Sequence, residues 1–455
     1  MSATAIDKRR RAVLVICDGL RNDLIGPDAT PNLVRLAAAG RRMACHRGVF
    51  PSVTRVAAAT IATGCLPRRH GLVGNVIAVR DRDDTMRACN SSLPEFRTLF
   101  PGLTGRPGGL CVPSLMARFA AAGGIGAICS NASAGAAWLL DPTHAGVLYH
   151  PGGCFGVGGE PLTPPVDLGR GKGAEGDRRM TEVFCNEVLA RPEIGLGILW
   201  LSEPDVVNHA VALGSAESAA CLRRVDERVG EVMDAVGARR VLGEDIMLLV
   251  GSDHGHETVE AVVDIVHPFV AAGLKRAVDS TELLVLPQGP AGLVFAADTG
   301  EDLVHAVEQL LRQQHWIGTV VAGAEALLAA GLAPRHGLIA AFSLASRPEA
   351  NAFGIPGLAF TAAGPGASPD RVGCGTHGGC GPHETRPFLI AEGSGMAGGA
   401  AIVTPTSILD IAPTLALHLG IWSGCSGDET FDGIALQSLA ASPAAGRTVP
   451  GFPFQ

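Results

Sequence analysis

The chain has 455 residues, 47% of them hydrophobic, with 60 glycines and 30 prolines. That length and apolar content exclude global disorder and allow one large α/β domain with an insertion, or two to three small domains. A formal charge of −8 excludes the basic footprint of nonspecific nucleic-acid binding. It leaves room for a phosphorylated substrate, because divalent ions reverse the local field.

Short apolar runs alternate with helical patterns along most of the chain. Ala12–Cys17 reads as a first buried strand, and Asn32–Ala39 as a helix ended by Gly40. Helices are expected at Ser114–Ala122, Arg178–Leu189 and Glu217–Val236, and further strands at Ile125–Cys129, Gly197–Leu201 and Ile246–Val250. Pro151–Asp177 is rich in Gly and Pro and reads as a surface loop. Continuous apolar strands separated by helices predict a mostly parallel central sheet with helices on both faces. From 262 to 369 helical and strand patterns continue (Asp302–Gln313, Gly323–Ala330), but no residue of metal-ligand character stands out. This segment is expected to be an inserted cap domain, between catalytic core parts at 1–261 and 370–455. The sheet then resumes with Phe388–Ala391 and a helix Thr406–Leu419.

The N-terminal basic cluster precedes an apolar run of only six residues, broken at once by Asp18. No signal peptide and no membrane span are expected, so the expected location is cytoplasmic. Twelve cysteines are spread singly from Cys17 to Cys425; several in apolar strand-like contexts, such as Cys17 and Cys129, read as buried free thiols, and no disulfide framework is visible.

Five segments carry candidate chemistry. The apolar run through Val250 delivers Asp253 and His254 side by side, one oxygen and one nitrogen donor, or else a loop carboxylate beside a core histidine. Asp18 follows the first strand and points into the crevice where open α/β sheets bind ligands, unless it serves as a helix N-cap. Thr54 opens an Ala-rich helix, where free N–H groups favour an anion; its hydroxyl is a nucleophile or merely a cap. Asp205 and His209 are four apart after another apolar strand, so one helical turn puts both on one face, as in many surface helices. His377 lies among glycines in G-C-G-T-H-G-G-C, where the backbone can approach closely. Cys374 and Cys380 bracket it and are read as plain thiols.

Together the motifs resemble the alkaline phosphatase superfamily, in its nucleotide pyrophosphatase/phosphodiesterase and phosphonoacetate hydrolase branch. They are F-P-S-V-T ending at Thr54, T-G-x-x-P-x-x-H-G-L-V-G-N ending at Asn75, E-P-D-x-x-x-H ending at His209, S-D-H-G at 252–255, T-H-G-G at 376–379, and a closing I-L-D-I-A-P-T around Asp410. The resemblance implies Asp205, His209 and His377 as ligands of one zinc. It implies Asp18, Asp253, His254 and the Thr54 oxygen as ligands of a second, with other divalent transition metals possible. Asn75 corresponds to an asparagine that binds a nonbridging phosphoryl oxygen. The implied reaction is hydrolysis of phosphodiester or pyrophosphate bonds of a small, nucleotide-like substrate through a phosphothreonine.

Two departures bear on the substrate. Arg55 stands where an aromatic residue often follows the nucleophile, and a guanidinium there suits a second anionic group or a monoester dianion, unless it turns outward to a surface carboxylate. Ser130-Asn-Ala-Ser-Ala-Gly replaces the lysines of phosphonoacetate hydrolases, which disfavours that substrate. Phosphomonoester or phosphonate hydrolysis is the alternative chemistry, and a catalytically silent metal- or ligand-binding protein the remote one. Asn131, Ser133, His144 and His150 are pocket candidates or loop surface. Oligomeric state is open.

Overall fold

In the computed structural model, residues 7–451 are described, apart from 82, 107–108, 170, 367, 397, 425–429 and 442–446. Cys425 therefore lies outside the described residues. The first strand shows how the main sheet is covered: Ala12, Leu14 and Ile16 enter one apolar core, and Val13, Val15 and Cys17 enter another. Side chains two apart share a face, so a run with no polar member must be covered on both sides.

Seven strands form this sheet: β1 (Arg10–Cys17), β2 (Arg41–Arg42), β3 (Ile125–Ser130), β4 (Val147–Tyr149), β5 (Ile194–Leu201), β6 (Asp245–Gly251) and β7 (Leu389–Glu392). Their order is β2-β7-β6-β1-β5-β3-β4. β6, β1, β5, β3 and β4 are mutually parallel, whereas β7 runs antiparallel to both β6 and β2. The expected mostly parallel α/β sheet is present. One face carries the helices Thr54–Thr63, Leu115–Ala121, Ala134–Leu140 and Ile411–His418. The other carries Pro31–Ala39, Ala174–Val183 and Ala216–Val241.

A four-stranded antiparallel sheet, in the order Leu283–Pro287, Ala291–Ala296, Leu338–Leu344, Ile317–Ala322, lies within the segment expected as the insert. Leu284, Leu286, Leu293 and Phe295 face the same core as Ala12 and Leu14. Val285, Val294 and Ala296 pack instead with Val307 and Leu311 of the helix Glu301–Arg312. The strand Glu257–Asp264 runs across the expected 261–262 boundary, pairing in parallel with Pro356–Ala363 and antiparallel with Gly375–Thr376.

Three expectations are corrected. Thr406–Leu419 is not one helix: Thr406–Ser407 pairs with His46–Arg47, and a 3-10 turn precedes the helix Ile411–His418. The cause is a capping box, with Ser407 Oγ accepting from Leu409 N and Asp410 Oδ2 accepting from Ser407 N. Arg178–Leu189 begins earlier, at Ala174, and its last six residues form a π-helical turn. Pro151–Asp177 is not loop surface to its end, because Asp177 is buried and accepts hydrogen bonds from Asn131, Ser202 and Glu203.

Among the described residues no helix is long and apolar enough to cross a membrane. The described cysteines are free thiols, Cys374 and Cys380 among them.

Candidate metal centre

Three parallel strands end level with one another: Ile16 pairs with Gly251, and Cys17 with Leu201. The residues that follow are thereby delivered to one place at the carboxyl edge of the sheet. Asp18 follows β1, Asp253 and His254 follow β6, and Asp205 follows β5 through Ser-Glu-Pro. Backbone bonds lock the junction, with Asp18 N donating to Leu201 O and Asp205 N to Asp18 O. Gly19 N donates to Asp253 Oδ1 at 3.1 Å, and Trp200 Nε1 to Asp18 Oδ2 at 3.0 Å.

Thr54 is the first residue of the helix Thr54–Thr63. Its Oγ1 lies 3.2 Å from His254 Nε2. His254 Nε2 in turn lies 3.1 Å from Asp253 Oδ2 and 3.4 Å from Asp18 Oδ1. On the other side, Asp205 Oδ1 is 3.2 Å from His209 Nε2, 3.1 Å from His256 Nε2 and 3.5 Å from His377 Nε2. The rings of His254 and His377 stack with centroids 3.5 Å apart, which joins the two halves.

Every imidazole here is anchored through Nδ1. His254 Nδ1 donates to Gly255 O, His377 Nδ1 to Ser52 O and His256 Nδ1 to Gly19 O, at 2.8–2.9 Å. His209 Nδ1 lies 2.9 Å from Asp370 Oδ1. At His254, His256 and His377 the partner is a carbonyl oxygen, which only accepts, so Nδ1 carries the hydrogen and Nε2 turns its lone pair inward. This is the arrangement by which metal-binding histidines are oriented.

Among the described residues, two groups of donors lie close enough to hold an ion, with the ligand atoms of each group within 4.8 Å of one another: Asp18, Asp253 and His254; and Asp205, His254, His256 and His377. Asp18 Oδ1, Asp205 Oδ1, Asp253 Oδ2 and His256 Nε2 are buried without a hydrogen-bond partner. Buried polar atoms are ordinarily paired, and a mixed carboxylate and imidazole set suits a transition metal. These donors fit divalent cations, zinc included.

The electrostatics reflect crowded carboxylates. Burial, then Asp253 and Asp205, raise Asp18 well above the ordinary carboxylate range. Burial, with Asp205 adding to it, pushes Asp253 up to about 8. Burial lowers His377 to about 4. At His209 burial works against the charged form, but Asp205 and Asp370 outweigh it and raise the imidazole well above its usual value.

Beside the donors lies a cavity of about 210 Å³ whose lining includes Arg55, Asn75, His209, Gln288, Asp370 and His377. Asn75 Oδ1 accepts from Arg55 N, and Asn75 N donates to Gln288 Oε1 at 2.7 Å. Arg55 does not turn outward to a carboxylate. Its Nη1 donates to Asn75 O, Asn90 Oδ1 and Ser91 Oγ, and its Nε to Ser133 Oγ, at 3.2–3.4 Å. Burial lowers it to about 10.

The structure thus brings Asp18, Thr54, Arg55, Asn75, Asp205, His209, Asp253, His254 and His377 together, although His209 stands outside the two compact groups. Neither Cys374 nor Cys380 belongs to them. Asn131 is buried against Asp177, and Ser133 caps the helix Ala134–Leu140, so neither is loop surface. His150 bonds Ala132 O, and His144 packs on Phe155.

Sequence reasoning missed His256, Asp370 and Glu384. His256 stood two residues beyond His254, a signal that was visible. Glu384 accepts N–H groups from Gly378, Gly379 and Gly381 and the hydroxyl of Ser52, holding the loop that carries His377. Gly378 has φ +135°, and a Cβ there would lie 1.7 Å from Gln288 O.

Residues 12–315 match the family described as type I phosphodiesterase / nucleotide pyrophosphatase. Mouse ectonucleotide pyrophosphatase/phosphodiesterase family member 7 is 23% identical over 327 residues, covering 69% of this chain and 64% of that protein. Its rat counterpart is 24% identical over 320 residues, 68% of this chain and 63% of that one. The chain spans less than two thirds of the length of these relatives. Among solved structures, murine ectonucleotide pyrophosphatase/phosphodiesterase 5, an inactive variant in complex with AMP, superposes with a TM-score of 0.61 at 17% identity over 90% of this chain and 95% of that one. The human protein gives 0.60 at 16% identity, over 91% and 96%. These structures share the fold, and through the match over residues 12–315 the chain belongs to the type I phosphodiesterase/nucleotide pyrophosphatase family.

Proposed function

We propose that the chain hydrolyses phosphodiester or pyrophosphate bonds of a small phosphorylated substrate, with Thr54 as nucleophile. The observation that carries this reading is the placement of Thr54 Oγ1, at a helix N-terminus and 3.2 Å from His254 Nε2. Asp18, Asp253 and His254 would hold one zinc ion, and Asp205 and His377, with His209 beside them, a second. When bound, such ions supply Lewis acidity and charge neutralisation at the phosphoryl group.

The chain's own residues do the rest. The substrate enters the cavity between Asn75 and His377, where the Asn75 side chain binds a nonbridging oxygen. Thr54 gives up its hydroxyl proton to water and its oxygen attacks phosphorus in line, as the leaving group departs with the P–O electron pair and takes up a proton. Water then cleaves the phosphothreonine, releasing the phosphate monoester and restoring the Thr54 hydroxyl. The positive end of the helix Thr54–Thr63 favours the anion throughout.

Arg55 supports a second reading, hydrolysis of a monoester or phosphonate. Its partners are all neutral oxygens, so it can pair with a further anionic group of the substrate. The test compares kcat/KM for bis-p-nitrophenyl phosphate and p-nitrophenyl phosphate in wild type and Thr54→Ala. Strong diester preference, abolished in the variant, is expected. Full activity of Thr54→Ala overturns the nucleophile, and monoester preference selects the second reading.

A further inference from the structure

His256 is fully buried, and its ring sits in a space kept open by two glycines. Gly19 has φ +71°, and a Cβ there would lie 2.3 Å from His256 Cε1; at Gly375 a Cβ would lie 3.0 Å from His256 Cδ2. The surroundings therefore fit an imidazole of fixed orientation. With Nδ1–H donated to Gly19 O, the Nε2 lone pair faces Asp205 Oδ1 at 3.1 Å. Neither atom has a hydrogen-bond partner. Two buried lone pairs at that separation repel unless positive charge lies beside them. His377 is arranged alike, with Nδ1 on Ser52 O and Nε2 3.5 Å from the same carboxylate oxygen.

We propose that His256 supplies Nε2 directly to the cation held by Asp205 and His377, a donor that the ligand set implied by the family resemblance does not contain. The inference rests on the metal-dependent reading above. A further imidazole makes this half of the centre richer in nitrogen and biases it toward zinc or cobalt over manganese or magnesium.

The test uses the full chain, as wild type and as His256→Met, which fills the space with a side chain that is a poor zinc ligand. Zinc affinity is measured by chelator competition, and the visible absorption of the cobalt-loaded protein reports the donors. In the variant one of the two sites is expected to lose at least about tenfold in zinc affinity, with a changed cobalt spectrum. Unchanged affinity and spectrum overturn the proposal. Lower affinity with an unchanged spectrum also overturns it, because His256 would then act only by positioning Asp205. If His256→Met does not fold, judged by circular dichroism without metal, His256→Gln takes its place. A wild-type chain that binds no zinc would instead overturn the metal-dependent reading itself.

Discussion

Glu384 accepts the Ser52 hydroxyl at 3.0 Å, two residues before Thr54 and seven after His377. One carboxylate thereby fastens the loop of a candidate ligand to the entry of the candidate nucleophile. Replacing Glu384 with Gln puts an amide where three N–H groups and a hydroxyl donate. The expected result is a loss of about 10- to 100-fold in metal affinity or activity, the usual effect of disturbing a ligand's supports. Zinc titration and steady-state kinetics on the same preparation check it.

Gly378 makes a sharper test of the same loop. Ala at this position meets Gln288 O at 1.7 Å with φ at +135°, so the backbone must move and carry His377 with it. A destabilisation of about 1–3 kcal/mol is expected from strain of this kind, together with loss of turnover. Urea unfolding and activity measured on one sample would show both, and a variant with wild-type values would mean that the loop tolerates a Cβ.

Asp177 offers a prediction in pH. Burial pushes it up to about 6 from an ordinary 3.8, although Asn131, Ser202 and Glu203 all donate to it. The folded chain then holds this proton more tightly than the unfolded chain. Stability from this group is therefore greatest below about pH 4 and declines as pH rises through about 6. At about 1.4 kcal/mol per pH unit, the whole decline is about 3 kcal/mol. Asp177→Asn cannot titrate, so the gap between wild type and variant should narrow from pH 4 to pH 7. Chemical denaturation at several pH values, in the presence of a chelator, checks this; a constant gap refutes it.

Arg55 governs substrate preference on the proposed reading. Arg55→Ala should cost a phosphomonoester dianion about 1.5–3 kcal/mol of binding, the worth of a hydrogen bond to a charged group, and a diester less. Arg55→Lys should restore only part, since an ammonium cannot reproduce the guanidinium fork. Equal losses on both substrate types would show that Arg55 only supports Asn75 and Ser91.

Chelation bears on the metals themselves. An ion that binds only the folded chain, at one hundred times its Kd, adds about 2.7 kcal/mol per site. Calorimetry with and without EDTA should show a lower midpoint without metal, and Asp205→Asn should shrink the difference. A midpoint indifferent to EDTA would count against bound metal.

The strands were legible because burial on both faces leaves an unbroken apolar run, as from Ala12 to Cys17. Asp18, Asp205, Asp253 and His254 were legible because they follow such runs, where parallel strands present their loops together. His256 was visible but unremarked: its partners, Gly19 and Asp205, are 237 and 51 positions away in the chain, and only folding gives it a role. Asp177 was hidden in a Gly- and Pro-rich stretch whose composition spoke of surface. Ser407 and Asp410 lay inside an apolar helical pattern, and their capping bonds overrode its periodicity. Glu384 carried no pattern, since its carboxylate oxygens meet their donors only once the 377–381 loop has folded back around it.

The antiparallel sheet between Leu283 and Leu344 turns Leu284, Leu286, Leu293 and Phe295 into the same apolar mass as β1. A cut at 262 and 369 would therefore tear open a seam, exposing oily surface on both pieces rather than freeing a module from its tethers. Heating should melt the two sheets in a single cooperative event, and grafting this segment onto a relative would require transplanting the matching half of the seam as well.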